Sequence, residues 1–370
     1  MSTQAPQPKP WVARLAPYEP GKSESPGARR IIKLSSNESM FGPSPKAVAA
    51  LEKAARRLRR YPEPTAAIVR EALAAAHDID PDWIICGAGS DEILHLAVQA
   101  YAGPGDKVLH SRFGFMMYPI SARAVGAEPV AIPNRNWAGD VEGILAAVDE
   151  RTRVVFLDNP NNPTGACLDR KAVWELAERL PRDVLLVYDA AYAECVTLPD
   201  YEDGIALAKA FPHVLATRTF SKAYALAALR IGWAVGRPEL LDPIHRIRPP
   251  FNVNQPAQEA AVAALEDRAH LQRIVSATVA GRQQLSEGLT RLGIEVVPSQ
   301  TNFVLARFPD DPALNAEAAN RFLMQEGIIL RWLPGQGLAD CLRITVGTEE
   351  ENAAVIAAVE AFLARSPAEA

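Results

Sequence analysis

Residues 83–236 carry seven short apolar runs, WIICG, DKVLHS, EPVAIP, TRVVFLD, DVLLVYD, VLATRTF and RIGWAVG, separated by stretches with helical spacing. Several runs show no polar alternation. A strand with one face in water alternates apolar and polar side chains, so unbroken runs belong to strands covered on both faces. Strands of this kind alternating with helices predict an α/β fold, a mostly parallel sheet between two helical layers. The last run follows its predecessor after a segment too short for a comfortable parallel crossover and is expected to enter antiparallel.

The flanks read differently. Residues 1–30 are rich in Pro, Gly and Ser and form an extended arm that must lie on something. Helices are expected over 45–60, with Val48, Leu51, Ala55 and Leu58 as one face, and over 65–77, with Ile68, Val69 and Leu73 as the apolar side. One long helical stretch over 254–292 is expected to bridge two modules. EVVP, TNFVLARF, a helix over 316–326, GIILRWL, CLRITVG and a terminal helix over 352–363 make a smaller α+β module. The expected division is an N-terminal arm, 1–35, joining the small domain, a large domain, 36–270, and a small C-terminal domain, 271–370.

A length of 370 residues suits about two domains. The net charge of −5 provides no attraction for nucleic acid or an anionic membrane. RRLRR at 56–60 sits among residues of helical spacing and reads as a solvated helix face. Cys86, Cys167, Cys195 and Cys341 are widely spaced without a CxxC pair, which argues against a disulfide framework and a structural metal. The N-terminus lacks an apolar signal core and no apolar stretch approaches the roughly 20 residues of a membrane span, so a cytoplasmic setting is expected.

The chemistry collects where strands end. Lys222 follows VLATRTF, and an ammonium at the end of a buried strand loses hydration, which lowers its pKa as a Schiff-base lysine requires. Thr219 and Ser221 beside it and Arg230 beyond it are donors suited to a phosphate. Taken alone, the segment reads first as an ordinary strand end with a solvated lysine. Two further runs end in polar groups, TRVVFLD leading into NPNNPTG with Asn162, and DVLLVYD ending at Asp189 ahead of Tyr192. GAGSDEIL, 87–94, joins a strand to a helix, where free N–H groups and the helix dipole favour phosphate. It is not a dinucleotide fingerprint, because Glu92 stands where the third glycine belongs, and no Walker lysine follows.

SNESMFGPSP, RYPEPTA, GAGSDE, NNPTG, SKAYALAALR and CLRITVGTEEEN occur in that order. Together they resemble the aminotransferases of the aspartate aminotransferase fold family, which use pyridoxal 5′-phosphate (PLP), and among these the histidinol-phosphate aminotransferases. The match runs from about Tyr18 to the last helix. The resemblance implies PLP-transferase fold type I, a large domain with a seven-stranded mostly parallel sheet between helices plus a smaller α+β domain. It implies a PLP-dependent transaminase of histidine biosynthesis that converts histidinol phosphate and 2-oxoglutarate into imidazole acetol phosphate and glutamate. Lys222 is then the Schiff-base residue and proton-transfer acid/base, Asp189 the partner of the cofactor's ring nitrogen, and Asn162 and Tyr192 donors to its phenolate oxygen. Gly89, Ser90 and Asp91 cradle the cofactor phosphate with Thr219, Ser221 and Arg230. Phe115 aligns with the aromatic that stacks on the ring; the Pro-containing approach usual there is replaced by Ser111–Gly114, so Phe113 is a rival. Ala190 stands where an acidic residue is common. Tyr61 resembles a tyrosine that reaches the neighbouring subunit's cofactor phosphate, which implies a homodimer, and Tyr18, Arg331 and Arg343 resemble substrate-binding residues. No metal is implied. Aromatic amino acid transaminases and PLP-dependent decarboxylases of phosphorylated amino acids share most of these features and stay open as alternatives.

Overall fold

The protein is described by a computed structural model over residues 5–15 and 30–365. Its first strand is β1, Ile32–Lys33. The seven apolar runs then form one sheet from β2 (Ile84–Gly87), β3 (Lys107–Ser111), β4 (Glu128–Ile132), β5 (Thr152–Asp158), β6 (Leu185–Asp189), β7 (Val214–Thr219) and β8 (Gly232–Val235). Their order is β2-β8-β7-β6-β5-β3-β4, and β8 alone runs antiparallel to its neighbours. Because strand side chains alternate between faces, an unbroken apolar run feeds two cores at once. Val155 and Leu157 of β5 pack into one layer with the helices Ala67–His77, Arg170–Arg179 and Gln255–Glu266. Val154 and Phe156 pack into the opposite layer with Ser90–Tyr101, Met117–Ala124 and Pro238–Ile247.

The C-terminal module holds β9 (Glu295–Val297), β10 (Phe303–Arg307), β11 (Ile328–Ile329), β12 (Arg331–Leu333) and β13 (Leu338–Thr345). Four of these make the antiparallel sheet β12-β13-β10-β9, while β11 pairs in parallel with β1. The helices Arg268–Arg291, Ala316–Gln325 and Glu349–Leu363 cover it over a separate core that includes Leu34, Leu285, Val304, Leu342 and Val355. The last helix begins in a reciprocal capping box between Thr348 and Glu351.

Two helical expectations are corrected. The stretch 254–292 is two helices, Gln255–Glu266 and Arg268–Arg291, broken at Asp267, whose side chain caps the second by accepting from the His270 N–H. The helix expected over 45–60 spans Pro45–Ala55 and buries Ala47 and Ala54, while Val48, Ala55 and Leu58 face outward. The side turned inward is the one with the smallest residues. It packs on Gln255–Glu266, itself buried through Ala257, Ala260, Ala261 and Ala264, and two alanine surfaces allow the helix backbones to approach closely.

Candidate active site

Parallel neighbours β5, β6 and β7 all end at one edge of the sheet, so the residues that follow them meet there regardless of their separation in sequence. Asn162, Asp189, Tyr192, Thr219, Ser221 and Lys222 line one cleft of about 200 Å³. The turn before Ser90–Tyr101 enters the same space because β8 carries a glycine: a Cβ on Gly232 would stand 2.3 Å from the Ser90 nitrogen. Gly89 adopts φ +84°, and a Cβ there would sit 2.5 Å from a guanidinium nitrogen of Arg230. That guanidinium therefore lies directly over the N-terminus of the helix. Arg230 donates to Ser221 Oγ at 3.4 Å and stands 3.8 Å from the Asp91 carboxylate. Ser90, Asp91, Thr219, Ser221 and Arg230 thus form a cup of donors around a helix N-terminus.

Lys222 is partly buried, with its amine 5.8 Å from the centre of the Tyr192 ring and 3.5 Å from the Ser36 carbonyl. Burial, reinforced by the nearby Arg343, lowers its pKa to about 8. Asp189 is buried. Its Oδ2 accepts from Tyr118 at 2.9 Å, and its Oδ1 from Thr217 at 3.1 Å and the Ala191 N–H at 3.2 Å. Burial raises this carboxyl to about 6 despite those bonds.

Asn162 accepts a 2.6 Å bond from Arg343 through its side-chain oxygen, which leaves its NH2 as the group to offer the cleft. Arg343 also donates to the Ser35 carbonyl at 3.0 Å. It is the register partner of Arg331 across β12 and β13, and both side chains line the cleft. The Tyr192 hydroxyl accepts from Asn37 at 2.9 Å.

Phe115 lines the cleft, edge-on to Tyr118 at 5.8 Å. Its rival Phe113 stacks with Trp137 at 6.1 Å on the core of Leu305, Leu333 and Leu338 instead. Tyr61 lies on the outer surface, 82 % exposed and stacked on Phe251 at 4.6 Å. Tyr18 lies outside the described residues.

Sequence reasoning missed Ser35, Ser36, Asn37, Tyr118 and Asp158 as lining residues. Asp158 carried a usable signal, since it closes an apolar run just as Asp189 does. It accepts from the Asn162 N–H at 2.9 Å and from Asn161 Nδ2 at 3.0 Å, and burial raises it to about 7. Tyr118 carried none, because nothing in the sequence distinguishes it from a core aromatic.

PLP needs a cup for a phosphate, a carboxylate for its ring nitrogen, donors for its phenolate oxygen and an amine of lowered pKa. The cleft holds all four, and the cradle that Gly89 leaves open under Arg230 is one a side chain would fill, so the residues present fit the group. The family model for aminotransferase class I and II matches residues 29–359, and the chain belongs to this family. Its fold is PLP-transferase fold type I. Among similar proteins, the histidinol-phosphate aminotransferase of Sphingopyxis alaskensis is 48 % identical over 96 % of this chain and 97 % of its own. That of Rhodopseudomonas palustris strain HaA2 is 48 % identical over 97 % and 99 %. The crystal structure of histidinol-phosphate aminotransferase from Sinorhizobium meliloti in complex with pyridoxal-5′-phosphate superposes with a TM-score of 0.89 at 30 % identity, covering 98 % of each chain.

Proposed function

We propose that this chain is a PLP-dependent transaminase that moves the amino group of histidinol phosphate to 2-oxoglutarate, giving imidazole acetol phosphate and glutamate in histidine biosynthesis. The observation that carries this reading is that Lys222 shares one cleft with two arginines, Arg331 and Arg343, held side by side by strand register. Two guanidinium forks suit a phosphate dianion on one substrate and a carboxylate on the other. Nearly full-length similarity to histidinol-phosphate aminotransferases supports the same substrate.

When bound, PLP supplies the electron sink for chemistry at the carbon bearing the amine. Lys222, with a pKa of about 8, is about one-tenth neutral at pH 7, and its Nζ is the base that takes the proton from that carbon and returns it on the other side of the transfer. Asp189 holds the proton on the ring nitrogen. Asn162 and Tyr192 donate to the phenolate oxygen, Phe115 covers the ring, and Gly89, Ser90, Asp91, Thr219, Ser221 and Arg230 hold the phosphate.

The active unit is a homodimer. Tyr61, Phe251 and Leu58, the last 65 % exposed, form an apolar surface that a second copy covers, which sends Tyr61 to the partner's phosphate cup. The large domain is 36–270 and the small domain 271–370, which the arm joins through β1; the break at Asp267 and the pairing of β1 with β11 support this division, whereas Trp11, earlier in the arm, lies against Gly126 of the large domain. Among the described residues no helix is long and apolar enough to cross a membrane, which accords with a cytoplasmic enzyme.

The test is borohydride reduction of the PLP-loaded protein with peptide mapping, together with turnover of histidinol phosphate and phenylalanine. Label on Lys222, its loss with the visible absorbance in Lys222→Ala, and preference for histidinol phosphate are expected. Label on another lysine refutes the site; preference for phenylalanine, or release of carbon dioxide in place of amino transfer, refutes the substrate.

A further inference from the structure

We infer that Asn37 is a positioning residue that fixes the direction of the Tyr192 hydroxyl, and that Thr345 in turn fixes Asn37. The inference rests on the proposed role of Tyr192 as a donor to the cofactor's phenolate oxygen. Its basis is a chain of hydrogen bonds that runs from Thr345 through Asn37 to the Tyr192 oxygen. Thr345 Oγ1 accepts the Asn37 backbone N–H at 2.9 Å, so its own proton goes to Asn37 Oδ1 at 3.3 Å. With Oδ1 engaged, the NH2 end of the amide faces the Tyr192 oxygen at 2.9 Å. An amide NH2 only donates, so the Tyr192 oxygen accepts and its single proton must point elsewhere, into the cleft where Lys222 lies over its ring. Asn302 Nδ2 holds the Asn37 carbonyl at 3.0 Å.

Asn37, Thr345, Tyr192 and Asn302 are each 4 % exposed or less, so no solvent competes for these partners. Asn37 also adopts φ +55°, a left-handed conformation that Asn tolerates better than most residues. The chain crosses the junction between the modules. Asn37, at the start of the large domain, is held by Thr345 of the C-terminal module, whose N–H also donates to the Leu34 carbonyl at 3.0 Å, whereas Tyr192 follows β6 of the large sheet. A donor whose direction is held from the other module is delivered to the cofactor only while the two are packed together.

A fully directed donor on the phenolate oxygen stabilises its negative charge and weakens its hold on the proton of the adjoining Lys222 nitrogen. Other charges near these two groups come from Arg343 and Asp189 around Tyr192, and from Arg343, Asp91, Glu38 and Arg230 around Lys222; changes at 37 and 345 leave all of them in place.

The experiment is a pH titration of the visible absorbance of the PLP-loaded protein. Asn37→Ala should raise the midpoint by about half to one pH unit, the equivalent of one misdirected hydrogen bond. Thr345→Val should raise it by a smaller amount and Thr345→Ser should titrate like the wild type. In a Tyr192→Phe background, Asn37→Ala should produce no further shift. An Asn37→Ala midpoint equal to the wild type's, or a shift of the same size with Tyr192 absent, overturns the inference while leaving the transaminase reading in place. A wild-type protein that takes up no PLP on Lys222 overturns both.

Discussion

Tyr118→Phe removes one oxygen from the middle of the molecule and leaves the packing as it is. The ring stays stacked on Phe156 at 4.3 Å and edge-on to Phe115 at 5.8 Å, but Asp189 Oδ2 loses its 2.9 Å donor. A hydrogen bond is worth about 1.5–3 kcal/mol to an ionised carboxylate and about 0.5–1.5 kcal/mol between neutral groups. Its loss therefore penalises the charged form of Asp189 by about 1–1.5 kcal/mol more than the protonated form, which is about one pKa unit. Burial already holds this carboxyl at about 6, and the substitution moves it to about 7. Because the folded pKa exceeds the unfolded one, the folded state binds the extra proton, and the group's cost to stability is absent below about pH 4 and complete above the folded pKa. In the variant that cost keeps growing between about pH 6 and 7. Urea unfolding of the apoprotein should thus show a gap between wild type and Tyr118→Phe that is about 1–1.5 kcal/mol wider at pH 8.5 than at pH 5. On the proposed role of Asp189 as partner of the ring nitrogen, PLP uptake by the apoprotein should fail at a pH about one unit higher in the variant. An equal stability gap at both pH values, or superimposable uptake profiles, refutes the coupling of Tyr118 to the charge on Asp189.

Arg331→Ala should lower kcat/KM for histidinol phosphate at least about tenfold, the equivalent of roughly 1.4 kcal/mol, and affect phenylalanine much less; equal losses for both substrates mean that Arg331 does not select the phosphate. If Tyr61 reaches the partner's phosphate cup as proposed, Tyr61→Ala should weaken PLP binding while leaving the pH dependence of the visible spectrum unchanged, because the proposed contact is to the phosphate and not to the ring; unchanged PLP affinity refutes that contact. Sedimentation should give a dimer, and a monomer that keeps full turnover at high dilution excludes a phosphate contact supplied from the partner.

What was legible in the sequence was the ladder of strands and the polar residues placed at their ends. An apolar run without alternation, bounded by turns, fits a doubly covered strand, and parallel strands finish at one edge, so the sequence put Asn162, Asp189 and Lys222 at one edge of a sheet, and the adjacency of β5, β6 and β7 brought them into one cleft. Even the antiparallel entry of β8 followed from the shortness of the segment before it. The side chains that set the behaviour of Asp189, Tyr192 and Asn162 were not legible in this way. Tyr118 on Asp189, Asn37 on Tyr192 and Arg343 on Asn162 are separated by 71, 155 and 181 residues, and nothing local in either partner records the pairing. The same holds for Phe115 and Phe113, two residues apart in one segment: only the turn after β3 sends the first into the cleft and the second against Trp137. The outward face of the helix Pro45–Ala55 was also decided in three dimensions, since its apolar spacing named one side and the close approach of a second alanine-rich helix selected another. Periodicity and chain order depend on backbone geometry, which each residue carries with it, whereas hydrogen-bond partners and buried faces depend on which distant surfaces come to fill the same volume.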